Sequence, residues 1–192
     1  MFEHCQESYD GNGCRLSEGA VKLRDRFRLL WEQHVYWTRL AILGIAFDLP
    51  DLDASINRLL RNPTDFGRLF CRFYGNEMAA EVDRLLRDHL VIAAELVKAA
   101  KAGNSKAAAD SERKWYANAD EIVFFLNQIN PRWTVHSMRA SWYEHLALTK
   151  EEAVAILSKD NTKSVAMFNQ IEKEAMMMAD DFSGGMICQF GL

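Results

Sequence analysis

The sequence predicts an all-α protein, an up-and-down helix bundle of five long helices with a duplicated helical hairpin and short crossover helices. Three observations carry this expectation. Apolar residues recur at alternating spacings of four and three over long stretches, most clearly through Met78, Val82, Leu85, His89, Ile92, Leu96 and Ala99, which is the seam of a helix buried in a bundle. Only three prolines and ten glycines punctuate 192 residues, a scarcity that leaves room for long helices. No alternating apolar and polar run of strand length stands out, and the β-branched residues are dispersed.

Each element follows from its own signals. Ser17 is a plausible N-cap, after which Leu23, Phe27, Leu30, His34, Thr38, Ala41 and Ile45 mark a first helix that must stop before Pro50. Asp51 or Asp53 can cap SINRLLR, and Asn62 with Pro63 at the first helical position starts TDFGRLFCRFY, which Gly75 ends; this pair forms the crossover. Residues 76–102 give the next long helix, closed by Gly103. Another runs from about Ser105 to Ile129, where Asn130 and Pro131 stop it. Thr134 then caps one that reaches about Lys159, and the last occupies roughly 162–183. Thr149 with Glu152 matches a capping box that would break the penultimate helix, whereas an internal repeat argues for continuity.

That repeat pairs RDHLVIAAELVKAAKAGNSK, around His89, with YEHLALTKEEAVAILSKDNTK, around His145, and further on ANADEI with MMADDF. The unit is a helical hairpin used twice, and the two copies are expected to pack about a pseudo-twofold axis with the first helix against them. The whole chain, 1–192, reads as one domain, with residues 1–16 a flexible tail. Cys5, Cys14 and His4 lie in that tail, while Cys71 and Cys188 read as helix residues.

A net charge of −4 with both signs interspersed leaves no basic footprint, so no nucleic-acid partner is expected. No apolar run reaches the ~20 residues needed to span a bilayer and no signal peptide is visible, which points to a cytoplasmic protein without a membrane partner. A homo-oligomer or a protein partner is compatible with the composition.

The informative feature is where polar residues fall on apolar faces. His34, His89, Asn118 and His145 each occupy the core stripe of a different long helix, which predicts a polar layer across the bundle. Glu152 lies seven residues after His145 on the same face, and Glu121 lies three after Asn118, with Asp181 as its counterpart in the second hairpin. Asp88 and Glu144 adjoin histidines in sequence but point about 100° away from them. His34, His89 and His145 with Glu121 or Glu152 are therefore the candidate ligands of a divalent metal ion, iron, manganese or zinc, as bundles can hold between facing helices. Neither the Glu-x-x-His pair of di-iron bundles nor a His-Glu-x-x-His element is present. Buried imidazoles must find hydrogen bonds whether or not metal binds, so the first expectation is a non-catalytic interaction or structural protein whose histidine layer fixes the bundle's register. A bundle binding a metal ion or small ligand at that layer is the competing reading.

Nucleophilic catalysis has no visible apparatus: there is no Gly-x-Ser-x-Gly elbow, and Gly11-Asn12-Gly13 is no phosphate loop. The five tryptophans and the run Met176, Met177 and Met178 read as packing residues.

The segments WEQHVYWTRLAI, LPDLDASINRLLRNPTDFG, FYGNEMA, RDHLVIAAELVKAAKAGN, WYANADEI and YEHLALTKEEAV together resemble an uncharacterised family of bacterial all-α helix-bundle proteins over most of the chain after residue 16. Some members of that family carry an acetylglutamate kinase label, but this sequence lacks the Gly-rich phosphate loops and alternating strands of such a kinase. The repeated acidic-His element is also similar to that of a second group of bacterial bundles suspected of metal binding. The resemblance implies a helix bundle and no particular activity.

Overall fold

The computed structural model describes residues 16–192, all of whose regular structure is helical. The helices are α1 (Glu18–Phe47), α2 (Leu52–Leu59), α3 (Arg61–Lys101), α4 (Ser105–Ile129), α5 (Val135–Leu157) and α6 (Asn161–Phe190). The N-terminal segment holding His4, Cys5 and Cys14 lies outside the described residues.

Most boundaries fall where side-chain chemistry puts them. Ser17, Asn104, Thr134 and Asp160 each accept a hydrogen bond from the backbone N–H three residues on, satisfying one of the donors that a helix start leaves open. Asp48 closes α1 in the left-handed region, and Gly103 does the same between α3 and α4. α5 runs unbroken through Thr149, so no capping box forms there, and α6 continues beyond 183 to Phe190. Cys71 and Cys188 lie in helices as expected.

The crossover region differs from its expected role. α3 breaks at Gly75, where φ is 81° and ψ 179°, a conformation that costs glycine little and other residues much. The chain folds back there. Thr64 Oγ1 donates to Asp83 at 2.8 Å, Arg87 donates to the Leu60 carbonyl at 3.1 Å, and the Gly67 Cα sits against the Ala79 carbonyl. Residues 61–74 thus pack antiparallel against 76–90. With α2 they form one descending arm beside α1, and the bundle consists of three helical hairpins: α1 with α2 and the first arm of α3, the second arm of α3 with α4, and α5 with α6. Asn62 is no cap; its amide is fully buried.

Aromatic side chains fill the centre. Phe27, Phe66, Phe70, Trp133 and Phe182 meet with ring centroids 5.4–6.5 Å apart, and the paired faces of α1, α3 and α6 are held together by burying them. Trp133, from the turn between α4 and α5, donates its indole N–H to the Asp181 carbonyl at 3.1 Å and sets the nitrogen side of its ring against Gly185. The two ends of the second and third hairpins are joined through this seat.

A methyl group at position 185 would stand 2.1 Å from Trp133 Nε1, an approach that rigid ring and helix cannot relieve cheaply. Gly185→Ala gains up to about 1 kcal/mol of helix propensity, yet overpacking costs roughly 1–3 kcal/mol, and here the bond to Asp181 is lost as well. The expected result is a net loss of stability in urea denaturation, whereas Gly184→Ala, next to it and facing open space, should be neutral or stabilising.

Candidate functional site: a buried three-histidine layer

His34 on α1, His89 on the second arm of α3 and His145 on α5 come from the ascending helix of each hairpin and meet at one level of the bundle. All three are at most 4% exposed. One ring nitrogen of each lies within 4.8 Å of the other two, and the ring centroids are 5.4 Å apart for His34 and His145 and 6.2 Å for the two pairs involving His89.

The descending helix of each hairpin supplies an acceptor for Nδ1. His34 Nδ1 is 3.3 Å from Asn62 Oδ1, His89 Nδ1 is 3.1 Å from Asn118 Oδ1, and His145 Nδ1 is 2.9 Å from Glu174 Oε2. The tautomers follow from the far side of the two amides. Asn62 Nδ2 donates to the Leu30 carbonyl at 2.9 Å and Asn118 Nδ2 to the Leu85 carbonyl at 3.1 Å, each four residues before the histidine that the amide serves. Their oxygens therefore face the imidazoles, and each Nδ1 must carry the proton. Glu174 as a carboxylate can only accept, which sets the same tautomer at His145. The lone pair of every ring is then on Nε2.

Burial keeps the His34 and His89 rings neutral. The pKa of His34 is lowered to about 3, first by loss of water and then by His145, against a smaller opposing effect of Asn62. That of His89 falls well below its ordinary value for the same reason, with His34 and His145 adding to it. Tryptophans close the surroundings: Trp31 meets His34 and His145 at 5.3 and 5.7 Å, and Trp142 and Trp115 meet His89 at 5.1 and 5.3 Å. The Trp115 indole N–H donates to His89 Nε2 at 3.2 Å, so His89 is bonded at both nitrogens.

Not every buried polar group nearby is satisfied. Glu174 is 2% exposed, yet among the described residues its second oxygen, Oε1, has no hydrogen-bond partner, and neither do the indole N–H groups of Trp31 and Trp142. A buried carboxylate with one bare oxygen is costly unless charge or solvent reaches it.

The other candidate ligands lie elsewhere. Glu121 is exposed on α4, where its charge acts on Arg84. Glu152 is buried but forms an ion pair with Arg39, which also donates to the Ser164 carbonyl; burial raises the Glu152 pKa and Arg39 opposes this. Asp181 keeps company with Asp180, and Asp88 pairs with Arg84. Sequence reasoning missed Asn62 and Glu174. The signal was there: each lies 28 or 29 residues after its histidine, the same separation as His89 to Asn118.

Fold and site together define an all-α bundle built around a buried three-histidine cluster. No family model, curated protein or solved structure matches the chain.

The tautomers and burial make stability pH-dependent. His34 and His89 have folded pKa values below the unfolded one, so the unfolded state binds more protons between about pH 6.5 and 3. Metal-free protein should lose stability as pH falls through that window, on the order of 1 kcal/mol per pH unit for each histidine, and hold it above. Urea denaturation at stepped pH checks this, with His34→Gln expected to flatten the slope.

Proposed function

We propose that the protein binds one divalent metal ion through Nε2 of His34, His89 and His145, a reading carried above all by the single tautomer imposed on three converging imidazoles. Histidine ligands commonly donate their other ring N–H to a carboxylate or carbonyl oxygen, which fixes the ring and raises its basicity. Asn62, Asn118 and Glu174 stand in that relation here. Metal–nitrogen bonds of about 2.1 Å at tetrahedral angles set ligand nitrogens about 3.4 Å apart, so rings already within 4.8 Å need close by little more than an ångström. A dication would also place positive charge close to the Glu174 carboxylate.

Three imidazoles suit zinc or iron(II) better than manganese, which prefers oxygen. Three protein ligands leave a position open, the arrangement of catalytic rather than structural ions, and an ion there would lower the pKa of a bound water and polarise a bound oxygen. The cytoplasmic setting inferred from the sequence belongs to this reading, as does the origin of the hairpins by repetition. His89 and Asn118 map onto His145 and Glu174 at one constant offset of 56 residues, which supports repetition.

One observation favours the purely structural alternative. The Trp115 indole occupies His89 Nε2, the lone pair that metal requires. Binding must displace it, and the two readings then part at Trp115→Phe. Under metal binding that substitution leaves affinity equal or higher; under the structural reading it lowers stability by about 1 kcal/mol and no ion matters.

Elemental analysis of untagged protein should find close to one zinc or iron per chain. Excess metal at a hundred times its Kd should stabilise by about 2.7 kcal/mol over chelated protein in thermal melts, and His89→Ala should abolish that gain. Glu174→Gln, which keeps an acceptor for Nδ1 but removes its charge, should weaken binding by roughly 10–100-fold. A wild-type melting temperature indifferent to chelator and to added zinc or iron(II) overturns the proposal.

A further inference from the structure

Directly beside the histidine layer lies a cavity of about 150 Å³. Its position follows from helix register. On α1 it is lined by Thr38, Ile42 and Ile45, and on α5 by Thr149, Ala153 and Leu157. Thr38 and Thr149 come one turn after His34 and His145, and Trp115, on the antiparallel α4, touches the His89 ring. These three residues therefore form the end facing the histidines. The remaining lining leads away from the layer for about two turns, or roughly 10 Å.

The cavity exists because small side chains stand where a bundle core would place large ones: Ala93, Ala94 and Ala100 on α3, Ala108 on α4 and Ala153 on α5. Its walls are aliphatic, yet its inner end is not. Among the described residues neither Thr38 Oγ1 nor Thr149 Oγ1, both buried, has a hydrogen-bond partner, and Thr149 is only 5% exposed. Hydroxyls in helices ordinarily bond back to a carbonyl of the preceding turn or reach water, so two bare ones at the same end of an apolar cavity point to a ligand group between them. Lys150 and Glu112, also on the lining and paired at 2.5 Å, are partly exposed and mark a way to solvent.

We infer that this cavity binds a small apolar molecule, of about the size of a benzene ring, that carries one hydroxyl-type head group held by Thr38 and Thr149 at the end facing the histidines. An apolar cavity of this volume takes a ring of that size, and a hydroxyl can donate to one threonine while accepting from the other. The inference deepens the metal reading, on which it rests only for what the head group meets beyond the threonines. Were an ion held by the three histidines, Thr38 and Thr149 would hold the head group at the end of the cavity nearest to it, which makes the site that of a small aryl or alkyl alcohol, or a compound of like shape and polarity.

The probes are benzyl alcohol and toluene, which match in shape and differ in the hydroxyl, measured by calorimetric titration into chelated and zinc-loaded full-length protein. Benzyl alcohol should bind about tenfold more tightly than toluene even in chelated protein, the worth of one well-made hydrogen bond. Thr149→Val, nearly isosteric, should remove that preference while leaving toluene binding intact, and Ala153→Phe should fill the cavity and abolish both. If Ala153→Phe does not fold by circular dichroism, Thr38→Val takes its place as the second arm, with the same loss of preference expected. No binding of benzyl alcohol, equal binding of the two probes, or a preference that survives both threonine substitutions overturns the inference and leaves the hydroxyls to water. The two proposals fail separately: a preference retained in a protein that binds no metal sinks the metal reading alone, and metal binding without a preference sinks the ligand site alone.

Discussion

Three imidazoles share one buried level of this bundle, and the helices are arranged around the need to orient them. Burial keeps His34 and His89 neutral. An acceptor on the adjacent descending helix then fixes, for each ring, Nδ1 as the nitrogen that holds the proton. An acceptor must come from a neighbouring helix at the same height, so each histidine helix has to be followed by an antiparallel partner of matching length. The hairpin lengths and the 28- or 29-residue separation are two statements of one requirement.

The requirement also explains the first hairpin, which is built differently from the others. Its descending arm is not one helix but α2 joined to residues 61–74, and the chain reverses at Gly75 to enter the second hairpin. Asn62 stands at the level of His34 for the same reason that Asn118 stands at the level of His89, and both use their amide N–H₂ to grip the carbonyl one turn before the histidine. That double use makes the amide a clamp rather than a single contact, because rotating it would break two bonds in a place where neither can be replaced by water. Glu174 departs from the pattern. It brings a carboxylate where the other two hairpins bring a neutral amide.

Packing differs on the two sides of the layer. On one side, Phe27, Phe66, Phe70, Trp133 and Phe182 fill the interior and lock the hairpins together. On the other, alanines and threonines leave space. A bundle whose sole need was stability would fill both halves, since an unfilled cavity forfeits dispersion contacts along its lining. The asymmetry is what sets the histidines at the boundary between a rigid half and an open one, and it is a property of where bulk is placed along the same helices.

Much of this was legible in the chain itself. Seam periodicity, caps at Ser17 and Thr134 and a left-handed glycine at 103 set helix class and most boundaries, because these depend on residues within a turn or two of each other. The same periodicity put His34, His89 and His145 on buried faces. The carboxylates were another matter. Glu121 and Glu152 stand at suitable intervals from Asn118 and His145, yet spacing along a helix fixes only the direction in which a side chain points, not the neighbour it finds; Glu121 finds solvent and Glu152 finds Arg39. Asn62 looked like a helix cap because capping is judged locally, whereas its place beside His34 depends on how the first arm of α3 packs against α1. The sequence by itself determined which residues are helical and which faces are buried. Only the tertiary structure decided which buried polar groups meet, because pairing across helices depends on register and height in the bundle, to which a period of 3.6 residues is blind.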